Sequence, residues 1–163
     1  FRSSQMKYCI DTSALIDLGE RHYPERLPVF APIWRHVYQE INNGSIVSVD
    51  VVKSELESKA DDWRTHFLSQ ANGMFHMDRN IESEFASLVA DVESSSHLFN
   101  VNKSRERFMS GADPWVIAYA RSKQYTVISA ETKKLADYGL GAICNVLNVN
   151  HINLVGYFEL SNI

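Results

Sequence analysis

The sequence has little that would staple a small protein together. Of its 163 residues only 2 are cysteine, Cys9 and Cys144, set far apart in the apolar contexts KYCID and GAICNV. That spacing fits neither a zinc site nor a disulfide framework, and it points to a reducing compartment. No apolar run nears the roughly 20 residues that span a bilayer, and the opening FRSSQ has no signal-peptide core. A cytoplasmic protein without membrane contact is expected. Glycine (7) and proline (4) are sparse, and the chain has no glycine-rich phosphate loop of the P-loop or dinucleotide type, which argues against nucleotide-cofactor chemistry. Positive charge is also short. The 16 Lys and Arg stand against 20 Asp and Glu, a net charge of −4, so bulk charge does not draw this chain to nucleic acid or an anionic membrane. A local basic surface stays open.

What is present is ample apolar material, 45% of residues. A chain of this length buries well over half of its unfolded surface and needs no staple. Residues 1–5 are set aside as an added leading segment, and 6–163 read as one domain with no repeat, low-complexity tract or dividing linker.

Along the chain, short apolar runs alternate with helical patterns. Met6 to Ile10 reads as a strand, and Asp11-Thr12-Ser13 turns into a short helix carrying Ala14, Leu15, Ile16 and Leu18. Pro24, Pro28 and Pro32 mark a loop, after which Phe30, Ile33, Trp34, Val37, Tyr38 and Ile41 recur at helical spacing, ending at Asn42-Asn43-Gly44. Ser45 to Val49 is a second strand, followed by a helix that Asp50 can cap and that carries Val51, Val52, Glu55 and Leu56. A helical hairpin is expected next, with Trp63, Phe67, Leu68 and Ala71 on one arm and Ile81, Phe85, Leu88, Val89 and Val92 on the other, capped by Asp61 and Asn80. Residues 94–111 are polar and locally basic and read as a mobile loop. Asp113 then stands at an N-cap with Pro114 at the first helical position. Tyr125 to Ser129 is a third strand, Ala142 to Val149 a short helix and Ile152 to Val155 a last strand. This alternation implies a single α/β domain whose parallel sheet is covered on both faces.

In an open parallel sheet, ligands bind beyond the carboxyl ends of the strands, where the strand order reverses. Asp11 follows the first strand and Glu131 the third, while Asp113 opens one helix and Glu55 rides beside the buried stripe of another. Carboxylates that meet in this way oppose one another's ionisation unless a cation compensates. Oxygen ligands without His or Cys select a hard ion such as Mg²⁺ or Mn²⁺. Such ions serve phosphoryl chemistry, one activating water and a second about 4 Å away stabilising the leaving oxygen.

IDTSALI, VVKSEL, ADPWVIAYA and TVISAE, in that order, resemble the motifs of the PIN-domain nucleases. The resemblance extends over residues 6–160, to the toxin-like branch that includes the VapC-type ribonucleases. Within it the chain is most similar to an uncharacterised prokaryotic PIN-like group, marked by His22-Tyr23-Pro24, that often accompanies a helix-turn-helix antitoxin. It implies that Asp11, Glu55 and Asp113 are core metal ligands, that Glu131 is the fourth acidic position, and that Ser13 orients the site. Glu131 departs from the usual Asp by one methylene, with Asp137 a weaker substitute. The resemblance further implies a PIN-like parallel sheet of about five strands, Mg²⁺ or Mn²⁺ dependence, an RNA substrate, an antitoxin partner and a homodimer.

Each residue also has a plainer reading. Asp11 can simply start a turn, Glu55 can pair with Lys59 at i+4, and Asp113 can be an ordinary cap. Lys103, Arg105, Arg107, Arg121, Lys123, Lys133 and Lys134 form either a solvated face or a surface tracking a phosphate backbone. Tyr119, Tyr125 and Tyr138 can stack bases or pack inside, and Trp34, Trp63 and Trp115 read as core or interface anchors. The six histidines carry no metal spacing. Two competing enzyme classes lack their second acid: a haloacid-dehalogenase-like phosphatase needs an Asp where Ser13 stands, and a response-regulator receiver needs an acidic pair near the first strand. The serious rival is an inactive PIN-like scaffold that binds RNA or protein.

Overall fold

The computed structural model describes residues 6–59, 61–94, 106, 108–130 and 140–163. Five strands, β1 (Tyr8–Ile10), β2 (Ile46–Val49), β3 (Phe75–His76), β4 (Thr126–Ser129) and β5 (His151–Asn153), form one sheet. Their order is β3-β2-β1-β4-β5, with every neighbouring pair parallel. Successive chain segments run outward from β1 in one direction and then return to its other side, so the order reverses between β1 and β4. The three central strands are buried along their whole length, whereas β3 and β5 are only partly covered. This is why the central strands appear in sequence as unbroken apolar runs rather than alternating ones.

The helices are α1 (Thr12–Ile16), α2 (Ala31–Asn42), α3 (Asp50–Glu57), α4 (Asp62–Gln70), α5 (Ile81–Ser94), α6 (Asp113–Lys123), α7 (Leu140–Val146) and α8 (Leu154–Ser161). Neighbouring side chains on a strand point to opposite faces. Tyr8 meets the Tyr157 ring of α8 edge-on at 5.1 Å, while Cys9, on the other face, is fully buried and α6 packs against the same strand. The two helices therefore cover opposite faces of β1. α5 packs along α6, and the Phe85 and Trp115 rings stack between them at 3.8 Å.

The apolar stripe of α2 expected from spacing is turned inward, with Trp34, Val37 and Ile41 buried. The helix ends as read: Gly44 takes φ +84°, the left-handed conformation that costs glycine least, and Ser45 N–H closes back on the Glu40 carbonyl. The Tyr23-Pro24 segment is a clasp. The Tyr23 carbonyl accepts from Trp34 Nε1 at 2.8 Å, and its ring sits edge-on between Phe30 and Phe158. Glu25 accepts from Tyr38 Oη, Trp63 Nε1 and His66 Nε2, so one carboxylate joins the loop to α2 and α4.

Five local expectations change. Asp50 does not cap α3: it is the first residue inside the helix, and the N-cap is Val49, whose side chain makes no cap bond. The helical hairpin is interrupted by β3, a two-residue strand on the sheet edge, too short to show any periodicity. Ile152 to Val155 is not one strand, because Asn153 accepts from Gly156 N–H and starts α8 there; a short apolar run does not distinguish strand from helix. Asp113 is the first residue inside α6, the N-cap is Ala112, and no side chain caps the helix. Of the expected mobile loop, residues 95–105 and 107 lie outside the described residues, but α5 runs to Ser94, Phe108–Ser110 are helical, and Phe108 is buried in the core.

Candidate functional site

Parallel strands end where the helices begin, so β1 and β2 deliver their following residues to one edge. At the end of β1 the Ile10 carbonyl accepts from Ser48 Oγ at 2.7 Å, and Asp11 N–H donates to the Ile128 carbonyl of β4 at 3.1 Å. These bonds tie the chain to both neighbouring strands at the point where Asp11 leaves the sheet. Asp11 is 2% exposed. Its Oδ1 accepts from Ala14 N–H at 2.8 Å, so it caps α1, and Ser13 Oγ lies 3.2 Å from both of its oxygens. The plain reading of Asp11 as a turn-starter is thus correct for the backbone. It does not exclude a second role, since a carboxylate has about four lone-pair sites.

Glu55 is half-buried and joins three elements. Thr12 Oγ1 donates to its Oε1 at 2.5 Å, and Ala112 N–H donates to its Oε2 at 3.1 Å. Thr12 is the neighbour of Asp11 and Ala112 the neighbour of Asp113. Both oxygens of Glu55 thus face the site rather than outward along α3 toward Lys59. These bonds bring the chain positions of Asp11, Glu55 and Asp113, spread over a hundred residues, to one end of the sheet. Asp113 is half-buried at the start of α6, one residue past its N-cap Ala112. Thr12 was not singled out by sequence, where it stood as one residue of the IDTSALI turn.

Burial, then the negative charge of Asp11, pushes the Cys9 thiol up, so this cysteine is a neutral packing group and not a nucleophile. Glu131, Asp137, Lys133, Lys134 and Tyr138 lie outside the described residues, as do Lys103, Arg105 and Arg107. The two bases of the expected surface that are described sit elsewhere. Arg121 Nη1 pairs with Asp91 at 2.7 Å and Lys123 Nζ with Asp78 at 2.7 Å. Both leave the far end of α6, about 12–15 Å from Asp113 at 1.5 Å per residue. They brace α6 against α5 and the segment after β3. Tyr119 is buried; as expected for an internal ring, its hydroxyl is pushed up by burial.

Among the described residues no group of three or more His, Cys, Asp or Glu side chains is gathered closely enough to enclose a metal ion. That excludes a closed zinc-like cage from those residues. The carboxylates at this edge would offer oxygen donors alone, the donor type that a hard ion such as Mg²⁺ takes.

The sequence matches the family described as a domain of unknown function, DUF4411, over residues 8–163. No curated protein matches it. Among solved structures, the chain is similar to one from VapBC2 of Rickettsia felis, determined bound to a DNA fragment from its promoter. The TM-score is 0.53 at 11% identity, covering 91% of this chain and 98% of that one. At such identity the likeness is one of fold. The five-stranded parallel sheet with helices on both faces is the PIN-like fold of VapC.

Proposed function

Because the chain belongs to the DUF4411 family and has a PIN-like fold, we propose that it is a metal-dependent endoribonuclease, the toxin of a toxin–antitoxin pair. The family is read as the prokaryotic PIN-like group marked by the Tyr23-Pro24 segment, with a helix-turn-helix antitoxin as partner. The observation that carries the reading is the Glu55 carboxylate, held between Thr12 and Ala112. Three acids on three separate elements reach one sheet edge through it, an arrangement that no single helix or turn requires for its own stability.

In this reading Asp11, Glu55 and Asp113 hold Mg²⁺ or Mn²⁺, with Glu131 as the fourth acid. When bound, such an ion lowers the pKa of a water and stabilises charge on the leaving oxygen of an in-line displacement at phosphorus. The protein's own contribution is placement. The cap bond from Ala14 N–H and the Ser13 hydroxyl orient Asp11, and the two bonds to Glu55 fix the second carboxylate before the RNA arrives. Burial of Asp11 strengthens its electrostatic effect by excluding water. If these four acids are assigned to the ions, the remaining acids equal the bases in number, and the acidic excess is the site itself.

Asp113→Asn tests the reading. It is expected to abolish Mn²⁺-dependent cleavage of single-stranded RNA while moving the metal-free melting temperature by less than about 3 °C, because the amide matches the carboxylate in shape and still accepts a hydrogen bond. Unchanged cleavage would sink the metal-site assignment. One observation favours a second reading, a PIN-like scaffold that binds RNA or protein without cutting: no three ligands are gathered among the described residues. Under it Mn²⁺ leaves the melting temperature unchanged. Under the nuclease reading Mn²⁺ raises it for the wild type and not for Asp11→Asn.

A further inference from the structure

We propose that Thr12 is the positioning residue of Glu55, fixing from α1 the carboxylate that α3 contributes to the ion site. The proposal deepens the nuclease reading and rests on it. Glu55 leaves the second turn of α3 on a side chain with three rotatable bonds, and ordering such a side chain costs conformational entropy. Left alone, its carboxylate would sweep the helix surface. Two donors from elsewhere in the chain end that freedom, Thr12 Oγ1 on one oxygen and Ala112 N–H on the other.

The donors differ in kind. Ala112 N–H belongs to the backbone and comes with the entry to α6 whatever residue stands there. The Thr12 hydroxyl is a side-chain donor, and its carbon is β-branched, which restricts χ1 and aims the oxygen with little rotational loss. Thr12 is the first residue of α1, directly after the capping Asp11. One peptide unit therefore carries both a ligand and the anchor of the next ligand. Any displacement at the end of β1 moves the Asp11 and Glu55 carboxylates together and preserves their spacing. Each Glu55 oxygen has a further lone pair, so both bonds persist when the carboxylate takes an ion. Groups that orient ligating carboxylates in this way are worth about 10–100-fold in metal affinity.

The test is Mn²⁺ binding by calorimetry and by electron paramagnetic resonance, with metal-free melting curves, on the full chain as wild type, Thr12→Val, Thr12→Ser and Glu55→Gln. Valine matches threonine in shape and removes the hydroxyl. Thr12→Val is expected to bind Mn²⁺ about 10–100-fold more weakly, with metal-free melting within about 4 °C of wild type. Thr12→Ser restores affinity to within a few-fold of wild type. If Thr12→Val melts early, Thr12→Ala carries the same comparison. Should Thr12→Val bind Mn²⁺ as the wild type does while Glu55→Gln loses it, Thr12 has no positioning role and the nuclease reading stands. Equal loss in Thr12→Ser and Thr12→Val likewise overturns it, since the hydroxyl is then not what matters. A wild type that takes up no Mn²⁺ overturns the nuclease reading, and this proposal with it.

Discussion

Replacing Glu55 separates what its carboxylate does for the fold from what it does for an ion. In Glu55→Gln the amide keeps one oxygen and gains an NH₂. The oxygen can accept from Ala112 N–H, and the NH₂ can donate to Thr12 Oγ1, whose hydroxyl accepts as readily as it donates. Both links survive as neutral bonds, and the expected loss of metal-free stability is about 0.5–1 kcal/mol, the difference between charged and neutral acceptors. In Glu55→Ala neither link survives. Ala112 is 2% exposed, so its N–H is stranded away from water at about 1–3 kcal/mol. The Thr12 hydroxyl is half-buried and can turn toward solvent, which adds little, and the helix preference for alanine returns a few tenths. The balance is about 2 kcal/mol. For a chain of this size that is about 4–8 °C of melting temperature for Glu55→Ala against less than about 4 °C for Glu55→Gln. Mn²⁺ affinity behaves otherwise and is lost in both, because a neutral amide oxygen replaces a charged ligand. Thermal denaturation with and without Mn²⁺ reads all four values. Equal destabilisation by the two variants would refute the bonding scheme, and wild-type Mn²⁺ affinity in Glu55→Gln would refute the ligand role.

Two further outcomes test the frame around the site. At Gly19 a Cβ would lie 2.0–2.3 Å from the Trp63 ring, so Gly19→Ala must push the indole off its stack on Phe67 and away from Glu25; a loss of about 3 kcal/mol in urea unfolding is expected, with altered tryptophan fluorescence. The exposed Asp78–Lys123 pair makes a small, salt-sensitive contribution. Hydrogen bonds from Lys123 and from Asn80 N–H hold Asp78 below its ordinary 3.8, so its share is present above that pH and fades as pH falls through the lowered value. The bond to Asp78 holds Lys123 above its ordinary 10.5, so that share is present below 10.5 and is lost as pH rises through the raised value. Urea midpoints of wild type and Lys123→Met should differ by a constant amount between these limits and converge outside them; a difference that grows in acid would contradict the pairing.

Much of the architecture is legible in the residues because short-range physics dictates it. β1, β2 and β4 are apolar runs bounded by turn residues, α2 shows its stripe, and Asp61 caps α4 through Arg64 N–H as its position suggests. The rest was hidden for local physical reasons. β3 is two residues long, α8 begins inside an apolar run that suits either element, and Asp113 differs from a cap by one position. The basic residues of α6 look free in sequence, yet their partners, Asp78 and Asp91, lie 45 and 30 residues away.

The sequence by itself determined the α/β class and which acids follow which elements, since both depend on neighbours a few residues apart. Only the tertiary structure decided that the chain positions of Asp11, Glu55 and Asp113 come to one edge and that Thr12 and Ala112 clasp Glu55 across 43 and 57 residues. Hydrogen bonds of that reach exist only after β1, α3 and the entry to α6 have packed together.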